Sequence, residues 1–533
     1  MDTFTGTAKD DTFLATTAAN WSVGDSIDGG KGVDTLKIIN TAAILNTDIP
    51  TAGSLKNVEI LDVIGGAAVT ANTTSIDGVT HLYTTSTGAN TSTAAATTNI
   101  NATATGAAAG AEAIAVEGGK DVTVVSKNNV ADTITVGGTT AAAGKVSVTS
   151  TGTAAGSATA QGNIAVTGGT EITVNQYAGN AVNTTNIGGT ITVTGNEKTT
   201  TVTVNQSATA VAAATVVGYT AGAVTVNDKN TVSTTLADTI ETVTVKNAGV
   251  VTIDSGALKT LNLEGTITSV TANDVTVKTG ITAVDTLALN LKGVTTGVIT
   301  ADADVKTLNI ASSKDASTVT TLTSAGATAI NVSGDAALTV TTLAAGAANQ
   351  VITVTNTAGV TIGNVLGNDV TFTGGAGADS VIVGATTKTI DMGAGNDTVS
   401  IAAIPTVGSI NGGAGDDKLI VTGAISTALA AEPKITGFEI LQVAATNNTA
   451  TSHNAHTLKA LEVAGTNTAT TFSNVAAGVG LTVLTAQTAT TVNLLDTTGT
   501  ADVFNLTLSN ATGAAQAAGT VTIAGVETIK ITT

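Results

Sequence analysis

Three aspartates, Asp379, Asp397 and Asp417, each close a glycine-rich run and open a short apolar one. The runs cover residues 374–379, 392–397 and 412–417, and each follows the nonapeptide GGxGxDxUx, with Met392 standing where the second copy should have its first glycine. Asp379 and Asp397 are 18 residues apart (397 − 379), two nonapeptides, and Asp397 and Asp417 are 20 apart (417 − 397). A chain that coils in nine-residue half-turns comes back to the same edge every two nonapeptides, so one aspartate loop stacks on the next. Glycines permit the left-handed backbone that turns carbonyls inward. Carbonyl and carboxylate oxygens converging from two stacked loops form an oxygen-only cage, which suits Ca²⁺ and not Zn²⁺ or copper. Plain Asp-Gly turns would share the composition, but nothing would hold them to this spacing.

The elements that must position these loops are the strands that follow them. Val381/Val383, Val399/Ile401 and Leu419/Val421 alternate with polar residues, which predicts strands whose apolar side chains point into the coil. The 20-residue second spacing leaves room for a two-residue bulge around Pro405.

The start of the chain repeats the theme. Residues 29–37, GGKGVDTLK, fit the nonapeptide throughout, with Asp34 at the aspartate position and Leu36 and Ile38 facing inward. Residues 6–13, GTAKDDTF, form a degenerate copy in which Asp11 takes that position and Lys9 replaces a glycine. Between them lies Trp21, read as a plug of the core or edge.

These residues resemble the hemolysin-type calcium-binding repeats of the RTX family. The resemblance implies ions between successive turns. Their ligands would be Asp11, Asp34, Asp379, Asp397 and Asp417, with carbonyls of the flanking glycines Gly30, Gly32, Gly375, Gly377, Gly393, Gly395, Gly413 and Gly415. It also implies export by a type I system reading an uncleaved C-terminal signal; the N-terminus carries no basic region followed by an apolar stretch.

Composition places the loops in an all-β chain. Hydrophobic residues make up 42% but aromatics only 2%, so Val, Ile, Leu and Ala must fill the interior, and 59 glycines against 3 prolines suit many turns between strands. The fold class expected is a parallel β-helix or β-solenoid with RTX β-roll turns, β-sandwich-like sections remaining an alternative for the body. Four sections are expected: calcium-binding turns and first strands in 1–66, a Thr/Val-rich body in 67–350, a β-roll segment in 351–425, and a C-terminal solenoid segment in 426–533. Residues 92–115, rich in Ala, Thr and Asn, read as a low-complexity loop, and residues 426–432 before Pro433 as a short helix.

A second phrase recurs, Val58-Glu59-Ile60-Leu61, Phe438-Glu439-Ile440-Leu441 and Val526-Glu527-Thr528-Ile529, each after Asn57, Gly437 or Gly525. Related runs begin at Thr239, Leu258 and Val305. The alternation predicts one strand per solenoid turn, with the glutamates on a solvated or cation-bridging outer face.

Other chemistry is missing. The formal charge is −19, which argues against nucleic acid as a partner and makes a chain that cations compact. Cysteine is absent, and no apolar run reaches membrane-spanning length. Of the 3 histidines, His81, His453 and His456, the last two sit three apart without an HExxH and read as surface loop residues. No nucleophile elbow or phosphate loop appears, so an enzyme is not expected. RTX-like turns near both ends of an acidic, Ala/Thr/Val/Gly-rich chain resemble a bacterial surface-layer protein of the RTX type. That resemblance implies a Ca²⁺-dependent lattice of like copies on a Gram-negative cell, with outer-membrane lipopolysaccharide a partner through an anchor that no motif marks. A segment of a large secreted RTX adhesin is the alternative.

Overall fold

The computed structural model describes residues 2–16, 24–106, 113–129, 132–152, 161–177, 186–208, 219–276, 278–344, 346–423, 433–444, 451–454, 458–465, 469–509 and 517–533. Trp21, His456 and the expected helix at 426–432 lie outside them.

The chain forms two units, Met1–Val284 and Asp285–Thr533, and each is a parallel β-solenoid. Most turns lay one strand on each of two faces, and most strands pair with the strand two steps later, as Ile60–Gly65 does with His81–Ser86 and Val69–Asn72 with Asn90–Ala94. Pairing a strand with its equivalent one turn on requires a parallel ladder. The body between 67 and 350 is therefore solenoid and not sandwich, as far as it is described. Among the described residues the helical content is a single 3₁₀ turn, Asn46–Asp48, and no helix is long and apolar enough to cross a membrane.

Stacking in register puts like residues on like. In the first unit Leu36, Leu61, Leu82, Ile100, Val122, Val146, Ile172, Val202, Val243 and Leu261 follow one another through the core, each at most 2% exposed. Branched aliphatics stack at the strand spacing without a gap, which is why so long an interior holds few aromatics. In the second unit Val381/Val383, Val399/Ile401 and Leu419/Val421 fill the core as expected, and Phe372 and Phe472 are fully buried.

Two expectations are corrected. As far as they are described, residues 92–115 are not a loop: Asn90–Ala94, Asn99–Ala104 and Ile114–Gly118 are solenoid strands in register with their neighbours. Small Ala and Ser side chains such as Ser92, Ala94, Ala102 and Ala104 face the interior, so low complexity records narrow packing and not an absence of structure. His453 is likewise no loop residue but lies on a strand, Thr451–Asn454. His81 also lies on a strand, stacked on Tyr83 with ring centroids 6.1 Å apart and joined to Asn99 Nδ2 at 3.0 Å.

The extra residues around Pro405 do form a longer connection. Residues 402–409 link two strands where 384–389 do so one turn earlier, and the register on both faces is kept.

Candidate metal centre

The aspartates stand in two columns, one in each unit, and a backbone hydrogen bond joins each to the next. Val360 N–H donates to Asp379 Oδ1 at 2.8 Å, Asp379 N–H to Asp397 Oδ1 at 2.7 Å, and Asp397 N–H to Asp417 Oδ1 at 2.9 Å. In the first unit Asp11 N–H donates to Asp34 Oδ1 at 2.7 Å. The structure thus brings Asp379, Asp397 and Asp417 together, and Asp11 and Asp34 separately.

One oxygen of Asp34, Asp379, Asp397 and Asp417 is satisfied in this way; Oδ2 divides the aspartates into two groups. Asp34, Asp397 and Asp417 are at most 1% exposed, and their Oδ2 atoms are buried without a hydrogen-bond partner. Asp379 Oδ2 instead accepts from Gly375 N–H at 3.1 Å, and Asp11 Oδ2 from Thr7 N–H at 2.5 Å.

Loop conformation explains the division. In the three orphaned loops the second glycine is left-handed, at φ +97° for Gly30, +87° for Gly393 and +100° for Gly413. This turns the glycine N–H off the carboxylate: Gly30 donates to Asp28 Oδ1 at 3.3 Å and Gly393 to Asp391 Oδ1 at 3.4 Å. Gly32, Gly395 and Gly415 are left-handed too, while Gly375 and Gly377 are not. The copy at 374–379, complete in sequence, rests on a turn holding Asn356 and Gly359. Met392, the departure from the motif, is buried in the core, and its loop still adopts the left-handed form.

The first glycine of a loop makes a hollow. A Cβ on Gly29 would run into the carbonyl oxygen of Asn57 and Oδ2 of Asp34, and one on Gly374 into the carbonyl of Met392 and Oδ2 of Asp379. A carbonyl from the next turn and a carboxylate oxygen therefore aim at the same small volume. Among the described residues no three His, Asp or Glu side chains group as a metal set, so a cation would draw on main-chain carbonyls for most of its ligands.

Burial drives the electrostatics. Asp397 is pushed up to about 7, chiefly by burial, with the charges of Asp379 and Asp417 adding to it against the Asp379 N–H bond. Asp379 and Asp417 are raised for the same leading reason, and Glu439 and Asp416 raise Asp417 further. Like charges stacked in a low-dielectric interior repel, and either protons or a divalent cation relieve them.

Of the glutamates of the second phrase, Glu527 is exposed, as expected, but Glu59 and Glu439 are turned toward the aspartate columns. Asp34 N–H donates to Glu59 Oε2 at 2.9 Å and Asp417 N–H to Glu439 Oε2 at 3.0 Å, so each glutamate is half-buried and occupies the next position of an aspartate column. The sequence does carry a spacing signal: Glu59 follows Asp34 by 25 residues and Glu439 follows Asp417 by 22, one coil in each case. Pattern alternation alone conceals it, because a residue just ahead of a strand need not obey the strand's two-residue period.

A second ionic cluster has no sequence signal. In the first unit Lys278 Nζ lies 2.7 Å from Asp238 Oδ2 and 3.4 Å from Asp274 Oδ1, with the Lys278 and Asp238 side chains 4% and 0% exposed. Here an ammonium supplies the buried positive charge. The chain matches no family model and no curated protein sequence.

Proposed function

We propose that the chain is a Ca²⁺-stabilised structural protein of the bacterial cell surface, of the RTX type, which assembles with copies of itself into a surface layer. The observation that carries the Ca²⁺ part is the set of three buried, unpartnered carboxylate oxygens on Asp34, Asp397 and Asp417, each in a left-handed glycine loop. An orphaned buried carboxylate is costly, and a hard cation is the partner that oxygen-only surroundings accept. Asp34, Asp397 and Asp417, with carbonyls of their loops, would hold it; Asp379 and Asp11 would first have to release an N–H bond. When bound, Ca²⁺ supplies the positive charge that lets the stacked carboxylates ionise together.

The surface-layer part rests on the nonapeptide resemblance, the charge of −19, and a solenoid whose long faces carry Thr and Asn. Along one face Thr173, Thr203 and Thr244 stack in register, and on the other Thr192, Thr225 and Thr252 do so. Such flat polar faces suit side-by-side contact between copies outside a Gram-negative cell.

The test is electron microscopy and light scattering of the purified chain across about 0.1 to 10 mM Ca²⁺. Ordered sheets that disperse in a chelator are the expected result. Monomers at every concentration would refute assembly, and compaction by Ca²⁺ without sheets would favour the adhesin segment.

A further inference from the structure

Both aspartate columns end in the same way. Register places Glu59 opposite Asp34 and Glu439 opposite Asp417, because Thr35 pairs with Ile60 and Lys418 with Ile440. Neither glutamate belongs to a nonapeptide. Each sits in a short turn whose first residue is left-handed, Asn57 at φ +50° and Gly437 at φ +72°, and whose second, Val58 or Phe438, is buried in the core. The added methylene of glutamate lets the shorter turn reach the N–H that an aspartate takes elsewhere in the column.

Three further features coincide at both ends. The aspartate one turn earlier, Asp34 or Asp417, is fully buried with Oδ2 unpartnered. The left-handed residue aims its carbonyl at the first glycine of that loop: Asn57 O would meet a Cβ on Gly29, and Gly437 O one on Gly412. The glutamate spends Oε2 on the aspartate N–H, leaving Oε1 outside that bond. Two carboxylates and a main-chain carbonyl thus lie side by side at each column end, in two separate copies of the recurring phrase.

We infer that Glu59 and Glu439 are cation ligands, each completing a divalent-cation position with Asp34 and Asn57 O, or with Asp417 and Gly437 O. The inference rests on the Ca²⁺ reading of the columns and adds two ligands that the nonapeptide does not mark. Glu527, which accepts from Asp502 N–H at 2.8 Å, is the internal contrast, because Asp502 has no orphaned buried oxygen and Glu527 is exposed.

The experiment is Ca²⁺ titration calorimetry of the full chain and of E59Q, E439Q and E527Q, with far-UV circular dichroism in chelator. Glutamine keeps the acceptor for the aspartate N–H and removes only the charge, so the coil is retained. E59Q and E439Q should each lose one bound Ca²⁺, or weaken one site by about tenfold or more, with E527Q unchanged. The two variants probe separate columns, so misfolding of one leaves the other decisive. Unaltered stoichiometry and affinity in both would overturn the inference while leaving the calcium reading intact. A wild-type chain that binds no Ca²⁺ would overturn both.

Discussion

Replacing Asp397 by asparagine should have opposite effects with and without Ca²⁺. Asp397 is 1% exposed and raised from 3.8 to about 7, mainly by burial. A carboxyl whose folded-state value exceeds its unfolded one favours the folded state in acid, and that contribution disappears as pH climbs through the folded value. Without metal, the segment should therefore lose on the order of 4 kcal/mol between pH 4 and 7, at about 1.4 kcal/mol per pH interval. The substituted asparagine carries no charge and still accepts the Asp379 N–H, though its amide N–H₂ replaces the orphaned oxygen at a cost of about 1–3 kcal/mol. At pH 8 in chelator D397N should thus be more stable than the wild type by about 1–3 kcal/mol. With Ca²⁺ at a hundred times its dissociation constant the wild type gains about 2.7 kcal/mol per site, and the variant should lose that gain. Because solenoids open locally, the assay is hydrogen exchange over Ser380–Val383, Thr398–Ile401 and Lys418–Val421, with chelator and with Ca²⁺, at pH 5 and 8. Equal Ca²⁺ protection in both proteins, or a variant several kcal/mol weaker in chelator at pH 8, would refute the reasoning.

Calcium affinity should fall most in D397N, which lies between Asp379 and Asp417, less in D417N, and least in D379N, whose Oδ2 already holds the Gly375 N–H; calorimetry ranks the three, and equal losses would contradict the stacking. In the first unit, K278M should remove the ammonium from Asp238 and destabilise by about 3–5 kcal/mol, read as a lowered unfolding midpoint that Ca²⁺ does not restore.

The strands after each aspartate, the core-facing pairs and the 18-residue return are legible without any fold, because a two-residue alternation and a fixed repeat length are properties of the chain alone. So are the aspartates as a set. The described strands within residues 92–115 read wrongly as a loop because Ala, Ser and Thr carry no hydrophobic contrast, and only their neighbours one turn away make them strands.

Sequence by itself determined that oxygen-bearing loops recur once per coil within an aliphatic, acidic β-chain. It could not rank them: the copy at 374–379 matches the motif in full, yet its carboxylate is satisfied, while the one headed by Met392 leaves an oxygen orphaned. What separates them is the φ of one glycine, which the motif does not encode. Glu59 and Glu439 join the columns for a similar reason. Residues one coil apart become neighbours only when the turns stack, so tertiary structure alone decides which carboxylates share an interior and which oxygens lack a partner.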